Sequence, residues 1–188
     1  LVQRPSQWTL NTTFTHPQQI VLESSVDKKP VRFWYIILTI TNNSGADVGF
    51  YPKCELVTDT FQIIPAGKGV GTLVFDKIKD RHKKAYPFLE LLGGTDNKII
   101  QGQDNTKDIA IIWPDFDSNA KSINIYITGL SNETIEIESP ANLAKKQNAE
   151  QKKIYLKKTL DLYYRIKGNP SSLGGAALEY KEKSWVMR

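Results

Sequence analysis

The chain has 188 residues, of which 40% are hydrophobic and 24% charged, and it carries a net charge of +5. That length fits one generous domain, or one domain with extended arms, and no apolar run approaches the roughly 20 residues that a membrane helix needs. A single cysteine, Cys54, excludes a disulfide framework and a cysteine-based metal site, and its setting at a strand start predicts a small buried hydrophobe. The first residue is Leu1 rather than Met, which predicts a product exported after removal of a signal peptide.

In chain order, residues 1–17 place Trp8, Leu10 and Phe14 at even spacing among Thr and Asn, the pattern of an edge strand or an extended arm. Gln19 to Glu23 reads as a short strand, followed by a charged turn at Asp27 to Pro30. Val31 to Asn43 is dense in β-branched and aromatic residues and reads as a long strand. Its Trp34, Ile36, Leu38 and Ile40 parity is wholly apolar and should face a core, whereas the Phe33, Tyr35, Ile37, Thr39 parity is mixed. Asn42 to Gly45 then forms a turn, and strand pieces follow at Gly49–Pro52, Glu55–Asp59 and Phe61–Pro65.

Over residues 72–84 the period changes. Leu73, Val74 and Ile78 recur at helical spacing, which predicts an amphipathic helix capped by Thr72 with those residues on the body. Pro87 to Leu92 continues as a second helical turn stopped by Gly93-Gly94, so residues 72–92 form a helical insertion. Strand patterns resume at Ile99-Ile100, Ile109–Trp113 and Ile123–Thr128. The turn Gly129 to Asn132 predicts a hairpin with Glu133–Glu138. Residues 140–152 read as a mobile loop, Ile154–Lys167 as a long strand open to pairing at its edge, and Ala176–Met187 as the last strand. Eight to ten strands with one helical interruption predict a single mainly-β domain over residues 1–188, an immunoglobulin-like β-sandwich.

Material for catalysis is sparse. Two histidines, His16 and His82, offer little to a metal site or a Ser-His-Asp triad, and surface positions are expected for both. Gly67-Lys68-Gly69-Val70-Gly71 lacks the GK[ST] ending of a phosphate loop and reads as a loop with positive φ. Asp104, Asp108, Asp115 and Asp117 could supply carboxylates to a Ca²⁺ ion, or a pair for glycoside hydrolysis. No EF-hand spacing accompanies them, and Lys107 lies among them. The N-x-[ST] triplets at Asn11, Asn42 and Asn132 read as turn chemistry.

The basic cluster Lys77, Lys79, Arg81, His82, Lys83 and Lys84 lacks a nucleic-acid-binding motif and has acids interleaved, so it reads as a solvated face. Four Trp and eight Tyr exceed what one sandwich core takes up, so Trp8, Trp113 and Trp185 are candidates for an interaction surface, with Lys79, Arg81, Lys83 and Lys84 as its charged complement. A non-enzymatic binding or assembly module without cofactor follows. The alternative is a Ca²⁺-dependent carbohydrate-binding or hydrolytic protein built on the four aspartates.

The blocks RFWYIILTITNNSGADVGFYP, ELVTDTFQIIPAGKGV, IIQGQDNTKDIAIIWPDFD, YITGLSNET, LKKTLDLYYRIKGNP and KSWVMR carry a resemblance that runs from about Trp8 to Arg188, nearly the whole chain. They resemble a planctomycete group of β-sandwich proteins, among them the tubule-inducing subunit of the nitrite oxidoreductase of anammox bacteria. The resemblance implies a non-catalytic protein partner that organises a nitrite oxidoreductase complex into tubules, located in the periplasm or the anammoxosome lumen. It carries over no catalytic residues. A scaffold of that kind gains from duplicated docking surfaces, so a homodimer is expected.

Overall fold

The computed structural model describes residues 6–24, 26–94, 97–138 and 153–188. The loop expected over residues 140–152 lies outside them, as do the first five residues of the expected arm. The elements are β1 (Asn11–Phe14), β2 (Gln18–Glu23), β3 (Pro30–Asn42), β4 (Val48–Gly49), β5 (Lys53–Thr58), β6 (Ile63–Pro65), α1 (Thr72–His82), β7 (Glu90–Leu91), β8 (Lys98–Ile99), β9 (Gly102–Pro114), β10 (Ser122–Thr128), β11 (Thr134–Glu138), β12 (Lys153–Gly168) and β13 (Ala176–Met187).

Strand β3 organises a five-stranded sheet. It pairs antiparallel with β9 along one edge, and along the other with β2 at its start and β1 at its end. The apolar parity holds as expected: Trp34, Ile36, Leu38 and Ile40 are buried against Ile109, Ile111 and Trp113 of β9. A six-stranded sheet built on β5, β10 and β12 closes the other side of this core with Leu56, Ile123, Ile125, Ile127, Leu160, Leu162 and Tyr164. The molecule is a mainly-β sandwich. Leu10 is buried and Trp8 and Phe14 lean on the same core, so the arm docks as an edge strand.

The mixed parity of β3 is also buried. Phe33, Tyr35 and Ile37 pack with Ala110 and Ile112 of β9 beneath Val74 and Ile78 of α1. The helix therefore roofs the outer face of the first sheet, and β3 is covered on both sides. Burying one large aliphatic or aromatic side chain contributes roughly 1.5–3 kcal/mol, so this second cluster is a substantial part of the stability. Three details differ from expectation. Leu73 is 57% exposed, because position 73 falls one residue off the stripe set by Val74 and Ile78. Thr72 is the first helical residue, and Gly71 stands at the N-cap with no side-chain cap. The expected second helical turn is instead β7, two residues paired in parallel with β9, because Leu89 is buried under α1 and the amide of Leu92 reaches the carbonyl of Ala110.

The second sheet also departs from expectation. Strands β10 and β11 do not form a hairpin. Both pair antiparallel with β12, one after the other along the same side, as one strand broken at residues 129–133. Gly129 makes the break possible, with a φ of +96° and a Tyr51 carbonyl oxygen only 2.7 Å from where a Cβ would stand. The freed backbone pairs elsewhere: the amide of Leu10 bonds the carbonyl of Leu130, and Thr9 bridges Ser131. Most of strand β12 is accordingly no edge. From Lys158 onward it lies between β10 and β13, and β13 is the edge.

Candidate functional site

The sequence-predicted residues scatter. Trp113 is completely buried in the sandwich core opposite Trp34, because it falls on the inward parity of β9, so it takes no part in a surface. Trp8 and Trp185 are half-buried at the core margin, and the ammonium of Lys158 lies 5.3 Å above the Trp185 ring. The helix cations do not form one patch. Arg81 turns inward to the Tyr35 hydroxyl and the Gln19 carbonyl, each at 3.2 Å, and Lys83 pairs with Asp80 at 2.9 Å. Lys79 lies over the Phe75 ring, and Lys84 is exposed.

His16 is exposed, as expected, whereas His82 is half-buried. His82 Nε2 is 2.9 Å from the Tyr35 hydroxyl, and His16 sits among Phe14, Tyr164 and Tyr180. Cys54 is buried as expected, and burial pushes its thiol pKa well up, away from reactivity. Positive φ at Gly67 and Gly69 agrees with the loop reading of that segment.

The four aspartates do not converge. Asp104 and Asp108 are about 13 Å apart by strand rise alone. The Asp108 carboxylate accepts a 2.6 Å bond from Thr39, and Asp117 caps a turn through the Asn119 amide, which lowers its pKa. Asp115 is committed to Arg32, whose side chain is only 2% exposed. The guanidinium meets the carboxylate at 2.9 Å and also donates to the carbonyls of Pro170 and Ser172, while Trp34 Nε1 donates to Asp115 at 3.0 Å. Among the described residues no group of three or more His, Cys, Asp or Glu is placed to hold a metal ion, and no helix is long and apolar enough to cross a membrane.

Two features at the β10–β11 break do form surfaces, and both use the first residues of β12. Beyond the break, β11 and residues 153–157 of β12 continue as a two-stranded ribbon with no sheet opposite among the described residues. Cross-strand pairs Ile135–Leu156 and Ile137–Ile154 put four aliphatic side chains on one face, an extension of the inward face of the sheet. Ile135 and Ile137 are 45% and 38% exposed. Lys158, Glu133 and Thr9 form a polar cluster where this face leaves the core, and the Lys158 ammonium lowers the pKa of Glu133. The opposite face is polar, with Lys153 pairing Glu136 at 2.8 Å.

On that polar side lies a groove made of two adjoining cavities of about 390 and 270 Å³ that share Tyr51, Thr128 and Lys157. Tyr51 and Tyr155 are 73% and 59% exposed, and Trp8 lines the far end. The Tyr51 ring stands beside Gly49, 3.2 Å from where a Cβ would sit, in space that a larger residue would occupy. Glu55 takes Lys53 at 2.8 Å and Arg188 at 3.0 Å. The Lys53 bond, more than Arg188, lowers the Glu55 pKa. Arg188 in turn covers the Tyr126 ring at 4.1 Å.

Sequence reading missed both features, although SNETIEIE carried the alternation of one ribbon strand and Gly129 the break. No family model, curated protein or solved structure matches the chain.

Proposed function

We propose that this protein is a non-enzymatic assembly module that self-associates through the apolar face of its ribbon. The observation that carries this reading is the face of Ile135, Ile137, Ile154 and Leu156, exposed or half-exposed and covered by no strand or helix among the described residues. An isolated two-stranded ribbon is marginal in water, and along the rest of the sheet the same face is covered by the first sheet. A second copy packed about a two-fold axis supplies the missing layer with a matching set of aliphatic side chains. Dimerisation duplicates every other surface of the protein for a partner. The resemblance to the tubule-inducing subunit supports a nitrite oxidoreductase complex as that partner, and an exported protein of the periplasm or anammoxosome lumen as the setting.

Light scattering from micromolar to hundredfold higher concentration tests the self-association. The dimer mass is expected at the upper end for the parent chain and the monomer mass throughout for Ile137→Lys, with both proteins melting at the same temperature in dilute solution, where the parent is a monomer too. Burying a large aliphatic contributes roughly 1.5–3 kcal/mol, so one charge in its place should weaken the dimer at least tenfold. A parent chain that stays monomeric across the range overturns the reading.

A further inference from the structure

We infer that the groove along the β10–β11 break binds an acidic saccharide chain, with Trp8, Tyr51 and Tyr155 stacking on sugar faces and Lys157 holding a carboxylate or sulfate. Three aromatic side chains line one open groove, which suits a ligand with flat apolar faces and polar rims. A pyranose ring has that form: its C–H face packs on an aromatic ring while its hydroxyls exchange hydrogen bonds with side chains. Gly49 leaves room for the Tyr51 ring beside it, and Gly129 admits the Tyr51 carbonyl.

Charge narrows the class of ligand. Lys53 and Arg188 are both engaged with Glu55, whereas Lys157 has no ion-pair partner among the described residues. Asp161 and Glu182 lie further along the same outward face, since their positions follow the parity of Tyr126 and Tyr163 across the ladder. Lys53 and Arg188 share the single Glu55 carboxylate, so with Lys157 the lining keeps two uncompensated positive charges. With acids further along, these suit a chain bearing an occasional acid group. They do not suit a phosphate at every unit, which a nucleic-acid groove must neutralise continuously. An acidic peptide fits less well. Extended peptides dock by adding to an open strand edge, and β10 beneath the groove is already paired to both β5 and β12.

The groove and the aliphatic face lie on opposite sides of the ribbon, so this inference stands apart from the self-association. Calorimetric titration of the intact protein at low salt tests it. The ligands are a hexagalacturonate, a heparin-derived hexasaccharide, a neutral cellohexaose, hexaglutamate and an eight-residue oligothymidylate. At least one of the two acidic saccharides is expected to bind tenfold or more tighter than cellohexaose, with affinity falling at 0.3 M salt. Tyr155→Ala, Tyr51→Ala and Lys157→Ala should each weaken it at least tenfold, whereas Phe88→Ala, a control at an exposed aromatic outside the groove, should not. Binding of neither acidic saccharide, or binding unmoved by the three groove variants, overturns the proposal. Hexaglutamate or oligothymidylate binding as tightly as the better saccharide also overturns it, in favour of a peptide or nucleic-acid site.

Discussion

Arg32 shows how one buried charge can hold distant parts of a chain together. Its guanidinium joins β3 to Asp115 after β9 and to the loop before β13 through Pro170 and Ser172, and its cation sits 5.2 Å from the Trp34 ring. Removing one partner of such a pair leaves a carboxylate and two carbonyls without their donor, which costs more than the pair itself contributes. Asp115 itself is about a third exposed and keeps its bond from Trp34, so Arg32→Met should lower stability by about 1–3 kcal/mol, chiefly from the lost carbonyl bonds and packing, read from the urea midpoint at constant slope. His82 is a second sensitive residue. Burial first, and Arg81 second, depress its pKa below the ordinary 6.5, with Tyr35 and Tyr86 as its other neighbours. Above pH 6.5 it is neutral in both the folded and the unfolded chain and has no effect. As pH falls through 6.5 the unfolded chain takes up a proton that the folded state resists, so stability declines and then levels off below the folded pKa. Urea midpoints between pH 5 and 8 should show this decline, and His82→Gln should flatten it in that window.

At the scale of elements, the helix and the break in the second sheet decide what surrounds each strand. Ile78→Ala, at a fully buried position of α1, should cost about 2–5 kcal/mol. Gly129→Ala requires an alanine at a φ of +96° with its methyl 2.7 Å from the Tyr51 carbonyl, so stability should fall by about 1–3 kcal/mol, and the Tyr51 side of the groove should shift. Thermal melts and the saccharide titration check both. These elements also show what the sequence could and could not reveal. The inward parity of β3 was legible because Trp34, Ile36, Leu38 and Ile40 admit only one buried face. The outward parity was not, since Phe33 and Tyr35 look half-exposed until α1, forty residues away, is known to cover them. Strand β7 was hidden because two residues have no period, and only the ladder with β9 makes them a strand. Gly129-Leu130-Ser131-Asn132 has the composition of a hairpin turn. Its conformation instead follows from Leu10 and Thr9, more than a hundred residues earlier, which pair with the freed backbone. Trp113 was misassigned to a surface for a related reason: an aromatic count does not say which parity of a covered strand each ring occupies.

For the whole molecule, the question is which free edge or face meets a second copy. Strand β13 is a long edge, but it is interrupted by a bulge opposite Tyr163 and Tyr164 and carries Lys181, Glu182 and Lys183, features that oppose edge-to-edge pairing. The ribbon has no such guard on its aliphatic face. Apart from Lys157, whose amide and carbonyl both bond Arg188, its strands pair only with each other among the described residues, so in a monomer they should open locally, while β3, β9, β10 and the inner half of β12 open only with global unfolding. Amide hydrogen exchange separates the two candidate contacts. In dilute protein, residues 134–138 and 153–157 should exchange at least a hundredfold faster than β3 and β9, a difference of about 2.7 kcal/mol in opening free energy. At hundredfold higher concentration, protection among the locally opening segments should rise in the ribbon, because packing on a second ribbon adds its association free energy to each opening. The strands that open only globally should gain that same free energy. Ile137→Lys should abolish both rises. If protection rises instead along residues 176–187, the copies meet through the β13 edge, and the ribbon is not the contact.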